Sequence, residues 1–143
     1  MEETYRYNVA LLVDDNTTDN FIHRRILEIT RFARKVIVTR SATEALSYLA
    51  ECREGSGGVP DIIFLDFFMP GMDGSAFIER FSVLPSYIRN CSNIILLSVL
   101  DESLGGHSYN HNHVASFISK PLTDEKLESL TIVPGVSVRK TIL

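Results

Sequence analysis

The sequence lacks most of the features that mark secreted and membrane proteins. It has only two cysteines, no tryptophan, and no run of about 18 apolar residues that could cross a bilayer. Cys52 and Cys91 show no CxxC spacing, and the acidic N-terminus has no apolar signal-peptide core. Isolated cysteines in such a chain indicate reduced thiols. We therefore expect a cytoplasmic protein that makes no membrane contact.

Basic residues are too few and too scattered for a nucleic-acid interface. The chain has 14 Lys and Arg against 18 Asp and Glu, and its net charge is −4. Proteins that bind DNA or RNA usually cluster Lys and Arg on one face. The densest basic stretch here, residues 31–35, is interrupted by apolar residues. We therefore expect no nucleic-acid partner.

The length of 143 residues fits one domain. We expect a single domain over 1–143, with a core over about 7–131 and a C-terminal tail over 132–143. This tail is too short to form a DNA-binding or enzymatic output domain. The start at Met1 favours a stand-alone protein over a piece of a longer one.

Short apolar runs alternate with helical patterns along the chain. The runs that predict strands lie at residues 9–13, 36–38, 62–65, 93–97 and 115–118. Such alternation is typical of βαβ units with a parallel sheet. It predicts an α/β fold in which about five helices surround a doubly wound, five-stranded parallel sheet.

Helix signals fall between these strands. Apolar residues recur at helical spacing over 21–29, with two arginines turned outward. Ser41 and Glu44 form a capping box for a second helix, and Thr123 can cap the last one. The helix expected in 101–113 is rich in glycine and asparagine, so its helix propensity is low. Its three histidines fit neither one helix face nor one strand face, which favours a solvated loop over a metal site.

Polar residues follow four of the five predicted strands. Asp14 and Asp15 follow the first strand, Asp66 the third, Ser98 the fourth and Lys120 the fifth. In doubly wound sheets, ligands bind at the carboxyl ends of the strands. We therefore expect these side chains to form one pocket.

Three carboxylates in one pocket repel one another, since two charges 4 Å apart cost about 4 kcal/mol at an effective dielectric constant of about 20. A hard cation relieves this repulsion, and Mg²⁺ prefers carboxylate, water and phosphate oxygens. The pocket has no cluster of His and Cys, which argues against zinc. Lys120 and Ser98 could contact phosphoryl oxygens, and a carboxylate can attack phosphorus. Asp66 is the best nucleophile candidate, because it ends the central strand just before the chain turns at Met69-Pro70.

These residues resemble the receiver domain of two-component response regulators over about residues 7–131. The matching motifs are Val13-Asp14-Asp15, Asp66 followed by Met69-Pro70-Gly71-Met72-Asp73-Gly74, Ser98, Phe117 and Lys120-Pro121. The resemblance implies a flavodoxin-like sheet with strand order 2-1-3-4-5. It also implies a signalling module, switched by phosphorylation, that works through contact with a downstream protein of unknown identity rather than as an enzyme.

The resemblance assigns the phosphoacceptor and the metal ligands. Asp66 would accept a phosphoryl group from a phosphohistidine on a sensor histidine kinase or a histidine phosphotransfer protein. Asp15, Asp66 and the backbone carbonyl of Phe68 would hold Mg²⁺. Asp14 would contribute through an ordered water.

The resemblance also assigns the groups that respond to phosphate. Ser98, at a position where Thr is commoner, and Lys120, at a solvent-accessible rim, would contact the phosphoryl group. Phe117 would be an aromatic switch that follows Ser98 inward, although plain packing in the core is the alternative. Phe68 and Leu100 are apolar where the path of a hydrolytic water is expected, which predicts a long-lived phosphorylated state.

Two other functions fit part of the pattern. A phosphatase or phosphotransferase of the haloacid dehalogenase type also uses an aspartate nucleophile and Mg²⁺. That family needs a second Asp two residues after the nucleophile, where this chain has Phe68. A degenerate receiver that works as a phosphorylation-independent adaptor is the other alternative, and the intact acidic set argues against it.

Overall fold

Five parallel strands form the centre of the structure, a computed structural model that describes residues 4–98 and 113–130. The strands are β1 (Tyr7–Val13), β2 (Ala33–Thr39), β3 (Ile62–Asp66), β4 (Asn93–Ser98) and β5 (Val114–Ser119). The helices of the described residues are α1 (Thr17–Ile29), α2 (Ala42–Glu51), α3 (Gly74–Phe81), α4 (Ser86–Arg89) and α5 (Asp124–Glu128). The predicted α/β architecture is confirmed.

The strands lie in the order β2-β1-β3-β4-β5, and every neighbouring pair is parallel. This is the order that the sequence resemblance implied. All five predicted strands are present, each beginning at or before its predicted residue and ending at or after it. The chain leaves β1 on one side to form β2 and crosses to the other side for β3. Strand β3 is therefore the centre of the sheet, with β1 and β4 beside it.

The central strands are buried on both faces, as their continuous apolar runs predict. One side chain layer contains Leu11 and Ile63 and packs against α2, α3 and α4. The opposite layer contains Leu12 and Phe64 and packs against α1 and α5. Helices on both faces make the sheet doubly wound, and they leave the carboxyl ends of the strands available for a site.

Helix α1 is present, but the residues that it buries are not the apolar ones that indicated it. Phe21 is 68% exposed and Ile29 is 64% exposed. The buried stripe, with members three and four residues apart, consists of Asn20, His23 and Leu27. The side chain of Asn20 donates a hydrogen bond of 2.7 Å to the backbone oxygen of Asp14, so a polar contact fixes the rotation of the helix.

Two predicted helix caps are confirmed. The hydroxyl of Ser41 accepts a hydrogen bond from the backbone N–H of Glu44 at 3.0 Å, and that of Thr123 accepts from the N–H of Lys126 at 3.2 Å. The single turn of α4 lies where the sequence predicted no helix. It packs through Ile88, which is fully buried in the core.

Several sequence predictions fall outside the described residues. They concern Leu100, the helix expected in 101–113 apart from His113, and the tail 132–143. The half-buried His113 packs its ring edge-on against Phe81, with 5.2 Å between the centroids. In the described ranges, no helix combines the length and the apolar character that a bilayer span requires.

Candidate functional site

Three aspartates meet at the carboxyl ends of β1 and β3. Asp14 and Asp15 follow β1, and Asp66 is the last residue of β3. One carboxylate oxygen from each lies within 4.8 Å of the others. Asp14 is 1% exposed and Asp66 is 6% exposed, while Asp15 is open to solvent. The sequence prediction that these three side chains share one pocket agrees with this geometry.

Backbone groups orient two of these carboxylates. One oxygen of Asp14 accepts a hydrogen bond from the N–H of Asn16 at 2.9 Å, and one oxygen of Asp66 accepts from the N–H of Phe68 at 3.3 Å. Each contact joins a carboxylate to the N–H two residues further on, as is common for Asp at the start of a turn. The loops after β1 and β3 therefore hold the carboxylates in place.

Lys120 brings a positive charge into this group. Its Nζ lies 2.7 Å from Asp14 Oδ2, 2.9 Å from Asp19 Oδ2 and 3.6 Å from Asp66 Oδ2. The backbone N–H of Lys120 donates a 2.8 Å hydrogen bond to the oxygen of Ser98, so the end of β5 is tied to the end of β4. Lys120 borders the open cleft, as predicted, but its side chain is only 10% exposed, because the carboxylates draw the ammonium group inward.

The charges of the pocket shift two pKa values. Burial, followed by the negative charge of Asp14, raises the pKa of Asp66 to about 7, and Lys120 offsets only part of this. Burial lowers the pKa of Lys120, but the hydrogen bonds from its ammonium group to Asp14 and Asp19 outweigh that effect. The net pKa of Lys120 is therefore above its ordinary value, and the lysine stays charged.

The structure places the remaining predicted site residues around this pocket. Ser98 is buried at the end of β4, directly after Leu97, which pairs with Asp66 in the sheet register. Phe117 is half-buried on β5 and packs against the core layer that contains α3. Phe68 is 54% exposed and meets the ring of Phe67 edge-on, with 5.2 Å between the centroids.

An open cleft of about 550 Å³ leads to Asp66. It is bordered by Asp15, Phe68, Lys120 and the first turn of α1. The cleft is wide enough to admit a phosphoryl group and its donor side chain. The other residues that line the cleft are polar or charged, so Phe68 is the apolar part of the opening.

The turn after Asp66 depends on two glycines. Gly71 has φ +77°, a conformation that side chains with a Cβ rarely adopt. Gly74 donates a 3.0 Å hydrogen bond to the backbone oxygen of Phe67, and a Cβ at Gly74 would lie 2.7 Å from the Phe67 ring. Asp73 then caps α3 by accepting from the N–H of Ala76 at 3.0 Å. The motif that follows Asp66 is therefore a tight connection from β3 to α3.

Sequence reasoning missed Asp19 and Asn20 as parts of the site. Asp19 pairs with Lys120 at 2.9 Å. Asn20 supports the backbone at Asp14. The available signal was their position in the first turn of α1, which begins four residues after the end of β1 and so stays near the strand ends.

The donor set suits a hard cation. The three clustered side chains offer carboxylate oxygens, the ligands that Mg²⁺ prefers. Burial, followed by the negative charge of Asp14, raises the pKa of Asp66, and a divalent cation would relieve the repulsion between these two carboxylates. These residues therefore fit the Mg²⁺ that receiver domains generally bind in an acidic pocket.

Comparisons with known proteins agree with this geometry. A probable methanogenesis regulatory protein of Methanothrix harundinacea is 29% identical over 126 residues, which cover 84% of this chain and 76% of that protein. A cyclic di-GMP phosphodiesterase response regulator of Xanthomonas campestris is 30% identical over 119 residues, which cover 83% of this chain but 29% of that protein.

Solved structures and a family match agree with the two relatives. The crystal structure of a two-component response regulator from Cytophaga hutchinsonii matches with a TM-score of 0.77 and 29% identity, over 87% of this chain and 93% of that one. A response regulator receiver protein from Dyadobacter fermentans matches with a TM-score of 0.74 and 26% identity, over 83% and 91%. Residues 10–131 match the family described as response regulator receiver domain. The chain belongs to this family and is a signalling module that is switched by phosphorylation.

Proposed function

We propose that Asp66 is the phosphoacceptor of this receiver and takes its phosphoryl group from a phosphohistidine. The observation that carries the proposal is the position of Asp66, which ends β3 at the base of the open cleft. There it lies among three clustered carboxylates and 3.6 Å from the Lys120 ammonium group. The donor would be a sensor histidine kinase or a histidine phosphotransfer protein, and the response would pass to a downstream protein by contact.

The reaction requires Asp66 as a carboxylate. One of its oxygens forms a bond to phosphorus while the bond from phosphorus to the donor imidazole nitrogen breaks, and the imidazole keeps that electron pair. With a pKa of about 7, Asp66 is partly protonated at neutral pH in the absence of a cation. Bound Mg²⁺ would be held by Asp15, Asp66, the Phe68 carbonyl and, through water, Asp14, and it would supply positive charge to the carboxylates and phosphoryl oxygens.

Lys120 and Ser98 would respond to the phosphoryl group. The Lys120 ammonium group lies 3.6 Å from Asp66. A charge-assisted contact between this group and the phosphoryl group would stabilise phosphorylated Asp66. Ser98 ends the strand beside β3 and could offer its hydroxyl to another oxygen. Phe117 packs two residues before the end of β5 and would transmit a shift of Ser98 to the surface.

The two alternative functions lack support in the geometry. A haloacid dehalogenase type of phosphatase needs an acid two residues after its nucleophile, and Phe68 occupies that position with a half-exposed ring. An adaptor that works without phosphorylation has no need for an assembled acidic pocket, yet the three carboxylates are clustered.

The proposal is tested by intact-mass analysis after incubation with acetyl phosphate and Mg²⁺. We expect the wild type to gain one phosphate and Asp66→Asn to gain none. Asp73→Asn is a matched control, because Asn also caps helices and should leave the reaction intact. A mass gain that persists in Asp66→Asn, or that appears equally in EDTA, would contradict the proposal.

We also propose that the phosphorylated state is long-lived for a receiver. Hydrolysis needs a water placed in line behind phosphorus, and the apolar ring of Phe68 offers it no hydrogen bond at the mouth of the cleft. Phe68→Asn should therefore speed the loss of phosphate severalfold, followed by intact mass over time. Val83→Asn, an exposed apolar residue outside the cleft lining, should not change the rate. Equal rates in wild type and Phe68→Asn would show that this side chain does not set the lifetime.

A further inference from the structure

Asp19 lies outside the cluster of three carboxylates and yet forms a short ion pair with Lys120. The distance from its Oδ2 to Lys120 Nζ is 2.9 Å, close to the 2.7 Å between Nζ and Asp14. The same nitrogen lies 3.6 Å from Asp66, beyond the usual hydrogen-bond distance. The ammonium group therefore lies on the α1 side of the pocket, closer to Asp14 and Asp19 than to Asp66.

The position of Asp19 is itself fixed. Its backbone N–H donates a 3.0 Å hydrogen bond to the side chain of Asn16, which caps α1. The next residue, Asn20, is tied to the backbone of Asp14 at 2.7 Å. The first turn of α1 therefore holds the backbone of Asp19 beside the pocket.

The contacts of Lys120 with Asp14 and Asp19 compete with a contact between Lys120 and a phosphoryl oxygen on Asp66. Its ammonium group has three N–H donors, and Asp14 and Asp19 each lie within hydrogen-bond distance of it. Asp14 belongs to the group that would hold a cation, and that cation would weaken its attraction for the lysine. Asp19 keeps its full attraction, because it is not one of the three clustered carboxylates.

We propose that Asp19 is a positioning residue that retains Lys120 on the α1 side and so opposes the contact between Lys120 and the phosphoryl group. The inference rests on the proposed function, in which Lys120 contacts phosphate on Asp66. Asp19 then stabilises the resting state relative to the phosphorylated one. Its removal should favour the phosphorylated state without adding any new contact to phosphate.

The first test measures the restraint on Lys120 without any phosphate. Trace acetic anhydride labels amines in proportion to their free, neutral form, and peptide mass spectrometry reports the rate at Lys120. Asp19→Asn should label Lys120 at least about threefold faster, because one ion pair is lost. Glu28→Gln removes the same charge from the exposed side of α1 and should leave the rate unchanged. An unchanged rate in Asp19→Asn would overturn the inference.

The second test measures the competition with phosphate. Beryllofluoride with Mg²⁺ serves as the probe for the phosphorylated state, and its affinity is followed by titration of the folded protein. Asp19→Asn should bind it roughly three- to tenfold more tightly than wild type, and Glu28→Gln should match wild type. In a Lys120→Ala background the Asp19→Asn gain should fall below about twofold.

The outcomes separate the inference from the function on which it rests. An undiminished gain in the Lys120→Ala background would mean that Asp19 only repels the anion, and the positioning role would be wrong. Wild-type binding with no gain in Asp19→Asn would refute the inference and leave the proposed function standing. If wild type does not bind beryllofluoride, both the proposed function and the competition between Asp19 and phosphate for Lys120 are refuted.

Discussion

Among individual residues, Asp66 shows a conflict between stability and function. The buried carboxylate lies beside Asp14, and together these conditions raise its pKa from an ordinary value near 3.8 to about 7. The ionised form of Asp66 is needed for attack on phosphorus. In the absence of a cation, this ionised form lowers the stability of the folded protein. The pocket therefore contributes a term to the free energy of unfolding that depends on pH.

The sign of this term follows from proton binding. Between about pH 4 and pH 7 the folded chain holds a proton on Asp66 that the unfolded chain has lost, so the stability contributed by this group falls as pH rises. Asp66→Asn removes the effect. In EDTA at pH 8 we expect it to raise the free energy of unfolding by on the order of 2 kcal/mol, and at pH 4 to change it little.

Urea denaturation of wild type and Asp66→Asn at the two pH values measures this difference. The comparison is valid only if the dependence of the unfolding free energy on urea is the same for both proteins. Equal stability at pH 8, or a loss of stability in the variant, would show that Asp66 is not strained by its surroundings. Added Mg²⁺ should reduce the advantage of the variant, because a cation offsets the repulsion among the carboxylates.

Among the elements, the connection from β3 to α3 has little room for a larger side chain at Gly74. Gly74 closes it through a 3.0 Å hydrogen bond to Phe67, and an added Cβ would lie 3.0 Å from the Phe67 Cα as well as 2.7 Å from its ring. The backbone on both sides is held by β3 and α3, so it has little room to move aside. The steric clash would therefore displace Phe67, the residue that follows Asp66.

Gly74→Ala should therefore lower the free energy of unfolding by about 1–3 kcal/mol, measured by urea denaturation. It should also weaken beryllofluoride binding, because Asp66 shares this segment of backbone. Gly58→Ala is the matched control: its Cβ would meet neighbours at 3.6 Å, an ordinary contact distance, and stability should change by no more than about 0.5 kcal/mol. Similar behaviour of the two variants would show that the close approach at Gly74 is not limiting.

Across the whole molecule, the two ends of the sheet have different roles. The carboxyl ends carry the acidic pocket, whereas the amino ends are joined by Asp61. One carboxylate oxygen of Asp61 accepts hydrogen bonds from the N–H groups of Asn8 and Val9 at 2.9 and 3.1 Å. Its backbone oxygen accepts from the N–H of Asn93 at 3.0 Å. Asp61 thus connects β1, β3 and β4 at the end away from the site.

Asp61→Ala should lower the free energy of unfolding by about 1–3 kcal/mol, since it leaves the buried N–H of Val9 and its neighbour without that acceptor. Chemical denaturation checks the loss, and beryllofluoride titration checks the site. We expect the affinity for beryllofluoride to match wild type at a temperature where the variant remains folded. A marked loss of affinity would show that the two ends of the sheet are coupled.

The sheet and most of the site follow from the linear pattern of residues. Continuous apolar runs predict strands that are buried on both faces, and a parallel sheet brings their carboxyl ends to one edge. The residues directly after those runs therefore had to meet, whatever the details of packing. This is why the sequence predicts one pocket for Asp14, Asp15, Asp66 and Lys120.

The rotation of α1 and the direction of the Lys120 side chain depend on long-range packing. Spacing shows that a helix exists, but its apolar residues did not reveal the inner face, because the hydrogen bond from Asn20 to the backbone of Asp14 selects the buried stripe. That rotation places Asp19 beside Lys120. The carboxylates of Asp14, Asp19 and Asp66 then compete for the Lys120 ammonium group at distances of 2.7 to 3.6 Å. The spacing of residues along the chain does not show this competition, because the groups come from separate elements. The local sequence sets the backbone periodicity, and long-range contacts choose among the orientations that the periodicity allows.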